Sequence, residues 1–170
     1  MASRSLPCYW RLVFDELYHS LAQAEQHQFV LTEEGQVLGT VRGGIVAFKG
    51  MHYAAPPVGP LRWRAPRPAV SNSEILVADK YGPPCPQISN HLDLAEADPS
   101  EDCLSINVFK PFETDGRLPV MVWIHGGSLV SGAGGNPAYD GSKLASEGVI
   151  VVTFNYPIGA VRMVGHARTV

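Results

Sequence analysis

The chain has 170 residues, a formal net charge of −3 at pH 7 and an apolar fraction of 45%. This length accommodates one domain with its own core, and the composition is that of a folded globular chain rather than a disordered one. The net negative charge gives no indication of a nucleic-acid-binding surface, so no nucleic-acid partner is predicted. No apolar run approaches the roughly 18 residues of a membrane-spanning helix, so no span is predicted.

The predicted elements begin after an N-terminal arm, residues 1–28, in which charged residues interrupt any secretory apolar segment. A β-hairpin follows, turning at Arg42-Gly43-Gly44, and then a proline-rich irregular segment and a loop-like stretch. The expected β segments are residues 29–31, 36–49, 104–111, 118–125 and 148–156. The last two are continuous apolar runs, which are typical of strands covered on both faces. A short helix over Ser142–Glu147 lies between them, so the pattern predicts an α/β sheet with crossover connections.

The stretch His125-Gly126-Gly127-Ser128 directly follows one of these apolar strands. A glycine pair in this position lets the backbone turn sharply and leaves amide N–H groups unshielded. Such groups can stabilise the negative charge that develops on oxygen during acyl transfer. The alternative is a tight turn that merely ends the strand.

Four segments, in this order, resemble the type-B carboxylesterase/lipase family, which includes the cholinesterases. They are "GTVRGGIVAFKGMHYAAPPVGPLRWRAPRP", "SEDCLSINVFKP", "LPVMVWIHGGSLVSG" and "YDGSKLASEGVIVVTFNY". The resemblance implies an incomplete α/β-hydrolase fold over residues 29–157, made of the N-terminal hairpin and the first strands of a central, mostly parallel sheet. The tail, residues 158–170, departs from the family pattern, and Pro157 stands where the family has an arginine.

The resemblance also assigns roles to single residues. It pairs Cys85 with Cys103, although three cysteines alone do not establish a disulfide and each could be a small buried hydrophobe. It implies that Gly127 and Ser128 donate backbone N–H groups to an oxyanion and that Gly126 permits the turn. His125 is expected to pack or hydrogen-bond behind this loop rather than act as a base. An ion pair between Arg62 and Glu101 would tie the proline-rich segment to the disulfide loop.

No Gly-x-Ser-x-Gly nucleophile elbow occurs among the 170 residues. The chain is therefore expected to be the N-terminal portion of a serine esterase acting on small-molecule carboxylic esters, and to be inactive alone. The alternatives are a non-catalytic, cholinesterase-like binding or adhesion protein and a truncated isoform.

Several further expectations concern cofactors, assembly and location. Neither a metal-ligand spacing nor a phosphate-binding glycine motif is present, so no metal or cofactor is predicted. An apolar strand at an unpaired sheet edge would favour self-association. The implied disulfide favours an oxidising, extracellular location, although no clear signal peptide is seen.

Overall fold

A computed structural model of the chain describes residues 26–71, 73–87, 98–114 and 116–159. The predicted arm, apart from residues 26–28, and the predicted tail, apart from residues 158 and 159, lie outside the described residues. The strands are β1 (Gln26–Thr32), β2 (Gly35–Arg42), β3 (Ile45–His52), β4 (Leu76–Val77), β5 (Ser105–Pro111), β6 (Val120–Trp123) and β7 (Ile150–Phe154). The helix α1 (Ser142–Ala145) and two 3-10 turns, Gly59–Leu61 and Pro137–Tyr139, complete the described elements.

All seven strands form one mixed sheet in the order β1-β2-β3-β5-β7-β6, with β4 paired to β2. The first four neighbouring pairs are antiparallel, whereas β6 runs parallel to β7. The chain between these two parallel strands carries α1, which is the predicted crossover. The mixed sheet and its crossover helix agree with the expected incomplete α/β architecture, although antiparallel pairs outnumber parallel pairs among the described strands, where a mostly parallel sheet was expected.

The hairpin between β2 and β3 shows how the local sequence directs the fold. Arg42 pairs with Ile45, which leaves a two-residue loop. Gly43 and Gly44 have φ angles of 56° and 76°, in the left-handed region that glycine adopts without a Cβ penalty. The predicted turn at this glycine pair is confirmed.

Among the described residues, three apolar clusters form the core around the sheet. Val37, Val46 and Phe48 belong to the cluster under the hairpin, while Phe109 and Val151 pack with Ala145 of α1. A third cluster surrounds the two bonded cysteines and includes Leu104 and Ile158. Of the helices among the described residues, none has the length and apolar character needed to cross a bilayer.

The expectation that β6 is covered on both faces is wrong in this structure. Every residue of β6 is exposed, Val122 at 55% of its surface, and Ile124 beyond the strand is exposed at 65%. The physical reason is that the described helix α1 packs on β3, β5 and β7 and not over β6. In the described sheet, β6 is also the edge strand and pairs with β7 alone. Its sequence is that of an interior strand, but its place in the described sheet is at the edge.

Candidate active-site loop

The site of interest is the segment His125–Gly132, called here the glycine loop, at the carboxyl end of β6. Because β6 and β7 are parallel with Trp123 opposite Thr153, the residues that follow each strand emerge side by side. His125 therefore meets Tyr156, and their rings stack with centroids 4.3 Å apart. The carboxyl ends of parallel strands are the usual place for ligand sites in α/β sheets.

His125 supports the loop from behind. Its side chain is buried, with 3% exposure, and its Nδ1 lies 2.9 Å from the carbonyl oxygen of Gly126. A carbonyl oxygen only accepts hydrogen bonds, so Nδ1 carries the proton. Burial lowers the pKa of His125, and the bond to Gly126 opposes this shift only in part. His125 thus packs and hydrogen-bonds as predicted, and burial favours its neutral form.

Two carbonyl groups of the loop accept hydrogen bonds, and these bonds set the direction of the Gly127 and Ser128 amides. Gly126 O accepts from His125, and Gly127 O accepts from the amides of Val130 and Ser131 at 3.0 and 3.1 Å. In a trans peptide, the carbonyl of one residue and the N–H of the next point in opposite directions. The N–H groups of Gly127 and Ser128 therefore point away from these internal partners. Among the described residues, neither amide has a hydrogen-bond acceptor.

The glycine loop is also unusual in its backbone angles. Gly127 has a φ of 112°, and a Cβ built on it would collide with the carbonyl oxygen of Ser131. Ser128 and Leu129 adopt φ angles of 53° and 64°, which are sparsely populated by residues with a Cβ. Gly126 does not have a positive φ, and a Cβ built on it would lie in open space. The steric need for glycine therefore lies at Gly127, not at Gly126 to which the turn was assigned.

A buried polar network holds the segment after the loop. Asn155 accepts from the Gly134 amide at 2.7 Å and donates to the Pro83 carbonyl at 2.8 Å. The hydroxyl of Thr153 donates to the Gly134 carbonyl at 2.8 Å, and Asn107 donates to that hydroxyl at 2.9 Å. The buried side chains of this network are all hydrogen-bonded. These residues were not singled out from the sequence. The available signal is that Asn107 and Thr153 lie within apolar strands and Asn155 directly follows one, where a polar side chain needs a hydrogen-bond partner.

The other residues singled out by the sequence lie in or beside the loop that the disulfide closes. The disulfide between Cys85 and Cys103 is confirmed, with both cysteines buried and their Cα atoms 5.0 Å apart. The structure also brings Arg62 and Glu101 together, with Nη2 and Oε2 2.5 Å apart. This contact raises the pKa of Arg62 through the hydrogen bond and the charge of Glu101.

A second exposed pair had not been anticipated. His52 Nε2 lies 2.8 Å from Asp102 Oδ1, and Asp102 directly follows Glu101 of the first pair. Within the described ranges, no group of three or more His, Cys, Asp or Glu side chains is placed to hold a metal ion.

The family is decided by comparison with known proteins. The model of the carboxylesterase family matches residues 26–163. This chain belongs to the carboxylesterase family. The match begins at the first residue of β1 and includes the glycine loop, both bonded cysteines and β7.

Among curated carboxylesterases, the chain is 51% identical over 137 residues to the para-nitrobenzyl esterase of Bacillus subtilis. It is 44% identical over 140 residues to the fumonisin B1 esterase of Sphingopyxis macrogoltabida, and 41% identical over 145 residues to acetylcholinesterase-1 of Trittame loki. These alignments cover 78%, 79% and 77% of this chain.

Solved carboxylesterase structures give the same picture of the fold. A structure of PNB esterase superposes with a TM-score of 0.74 at 51% identity, covering 79% of this chain. A Geobacillus stearothermophilus carboxylesterase superposes with a TM-score of 0.69 at 36% identity, covering 77% of this chain. The chain spans only about a quarter of its relatives: 28% of the Bacillus esterase, 25% of the fumonisin esterase and 26% of the acetylcholinesterase, and similarly 28% and 26% of the two structures.

Proposed function

We propose that this chain supplies the oxyanion-binding loop of a carboxylic ester hydrolase, with the amides of Gly127 and Ser128 as donors. The observation that carries the proposal is a pair of amide groups that have no acceptor within the described part of the chain, each fixed by a hydrogen-bonded carbonyl on the same peptide. A donor that is oriented before the reaction needs no reorganisation when charge develops, and each such donor contributes about 10²–10³ in rate.

The proposed reaction is attack of a serine hydroxyl on the carbonyl carbon of a small carboxylic ester. As the carbonyl oxygen becomes negative, the N–H groups of Gly127 and Ser128 would donate to it. His125, in its neutral form, would hold the Gly126 carbonyl and would transfer no proton. No motif that would supply the nucleophile, the acid or the base is found in the 170 residues. The proposal therefore assigns the oxyanion function to this chain and predicts that the chain alone does not turn over esters.

The first experiment transplants the segment into a relative. Residues 26–159 replace the matching part of the Bacillus para-nitrobenzyl esterase, and hydrolysis of p-nitrophenyl acetate is measured. We expect an active enzyme in which Gly127→Ala lowers kcat by about 10²–10³, since the added Cβ displaces the amides.

Gly148→Ala is the matched control for backbone strain. Gly148 has a φ of 86°, but a Cβ there meets nothing within 4 Å, and the residue follows α1 in the chain rather than β6. We expect kcat within about threefold of the parent. The backbone strain lowers stability by roughly 1–2 kcal/mol but does not move the Gly127 and Ser128 amides. Equal kcat values for the two variants would refute the oxyanion assignment.

The alternative of a non-catalytic binding protein is tested on any longer product that contains this sequence. A fluorophosphonate probe modifies an activated serine. Labelling that is abolished by heat unfolding supports the hydrolase. A folded longer product that is not labelled would favour the binding or adhesion role.

A further inference from the structure

The side chain of Gln87 makes a paired contact with the backbone of Gly132, the last residue of the glycine loop. Gln87 Oε1 accepts from the Gly132 amide at 2.9 Å, and Gln87 Nε2 donates to the Gly132 carbonyl at 3.1 Å. The same Nε2 also donates to the Cys85 carbonyl at 3.1 Å. The primary amide therefore serves as an acceptor and as a donor to two carbonyl groups.

Gly132 lies against the peptide that carries one of the two oriented amides. A Cβ built on Gly132 would collide with His125 Nδ1 and with the Gly126 carbonyl oxygen. The residue before it, Ser131, donates its amide to the Gly127 carbonyl. A displacement of Gly132 therefore moves the groups that hold Gly126 O and Gly127 O, and with them the directions of the following two N–H groups.

The other end of the contact is fixed by covalent structure. Gln87 lies two residues after Cys85, which is bonded to Cys103 in a buried cluster. The contact thus joins the glycine loop to one of the most constrained parts of the chain.

We infer that Gln87 is a positioning residue, which fixes the glycine loop to the disulfide so that the Gly127 and Ser128 amides keep their direction. This inference rests on the proposed oxyanion function. Gln87 touches no reacting atom, so its removal should change kcat more than KM. Misplacement of a catalytic group by about 1 Å can cost about a hundredfold in rate.

The test begins with hydrogen exchange on the full 170-residue chain. We compare Gln87→Leu, which removes the contact, and Gln87→Glu, which keeps an acceptor but no donor for Gly132 O when ionised. The matched control is Gln28→Leu on β1, where the glutamine oxygen contacts only Lys110 at 3.5 Å among the described residues. We expect the Val130 and Ser131 amides to exchange at least about tenfold faster in both Gln87 variants, with the β5 amides unchanged. The control should exchange as the parent does.

The second measurement is kinetic and uses the transplanted esterase. We expect Gln87→Leu and Gln87→Glu to lower kcat by about 10–100-fold with KM within about twofold. Gln28→Leu should leave both constants unchanged.

The outcomes separate the two proposals. If exchange and kcat are unchanged in the Gln87 variants while Gly127→Ala lowers kcat, the positioning role is overturned and the oxyanion function stands. If Gly127→Ala is also without effect, the oxyanion function fails first. If the Val130 and Ser131 amides of the parent chain already exchange at the rate of an unstructured peptide, the contact does not hold the loop and the inference is wrong.

Discussion

Removing the disulfide between Cys85 and Cys103 should destabilise the chain by an amount set by the length of the loop it closes. The two cysteines are 18 residues apart in sequence. Loop-closure entropy for this separation corresponds to about 3 kcal/mol at 25 °C. This is a large share of the roughly 5–15 kcal/mol that stabilises a typical domain. Both cysteines are buried beside Leu104, so replacement by alanine also removes packing.

The assay is urea unfolding followed by tryptophan fluorescence, on the parent and on the Cys85→Ala/Cys103→Ala variant. With an m-value of about 2 kcal/mol per molar, the loss of about 3 kcal/mol lowers the midpoint by about 1.5 M. A reducing agent should lower the midpoint of the parent by a similar amount and leave that of the double variant unchanged. A parent midpoint that does not respond to reduction, once loss of the disulfide is verified by mass spectrometry, would refute the reasoning.

The remaining predictions concern buried or exposed groups. Asn155→Leu leaves the Gly134 amide and the Pro83 carbonyl without these partners. The free energy of unfolding, measured in urea, should fall by about 2–6 kcal/mol. A fall below about 1 kcal/mol would contradict a stabilising role for this network. Burial lowers the pKa of His125 in the folded chain, so the unfolded chain binds the proton first as the pH falls. The free energy of unfolding, measured in urea, should therefore decline as the pH falls below the ordinary histidine pKa of 6.5, and it should decline less steeply in His125→Gln. We propose that the exposed apolar edge strand β6 promotes self-association. Light scattering should show a smaller mass for Val122→Lys than for the parent. Equal masses would show that this edge is not the site of association.

Much of the strand content was predictable because its signals are local. The turn at Gly43-Gly44 is specified by residues that tolerate positive φ, and apolar runs indicated the strands at 104–111 and 148–156. The short strand β4 was not predicted, since its two residues depend on pairing with β2 rather than on their own pattern. The disulfide came from a family resemblance and not from spacing.

The sequence by itself indicated most of the strands along the chain, a resemblance to one family and the location of a glycine-rich turn after β6. The order of the strands in the sheet came from the tertiary structure. It could not reveal which glycine carries the steric constraint, because that depends on the Ser131 carbonyl folding back onto Gly127. Nor could it pair Gln87 with Gly132 or Asn155 with Gly134, since these partners are 45 and 21 residues apart. Hydrogen bonds between distant residues exist only once the sheet has brought the strand ends together. The contacts that direct the Gly127 and Ser128 amides are local, within residues 125–131, whereas the contacts that attach this loop to the rest of the chain are a property of the tertiary structure.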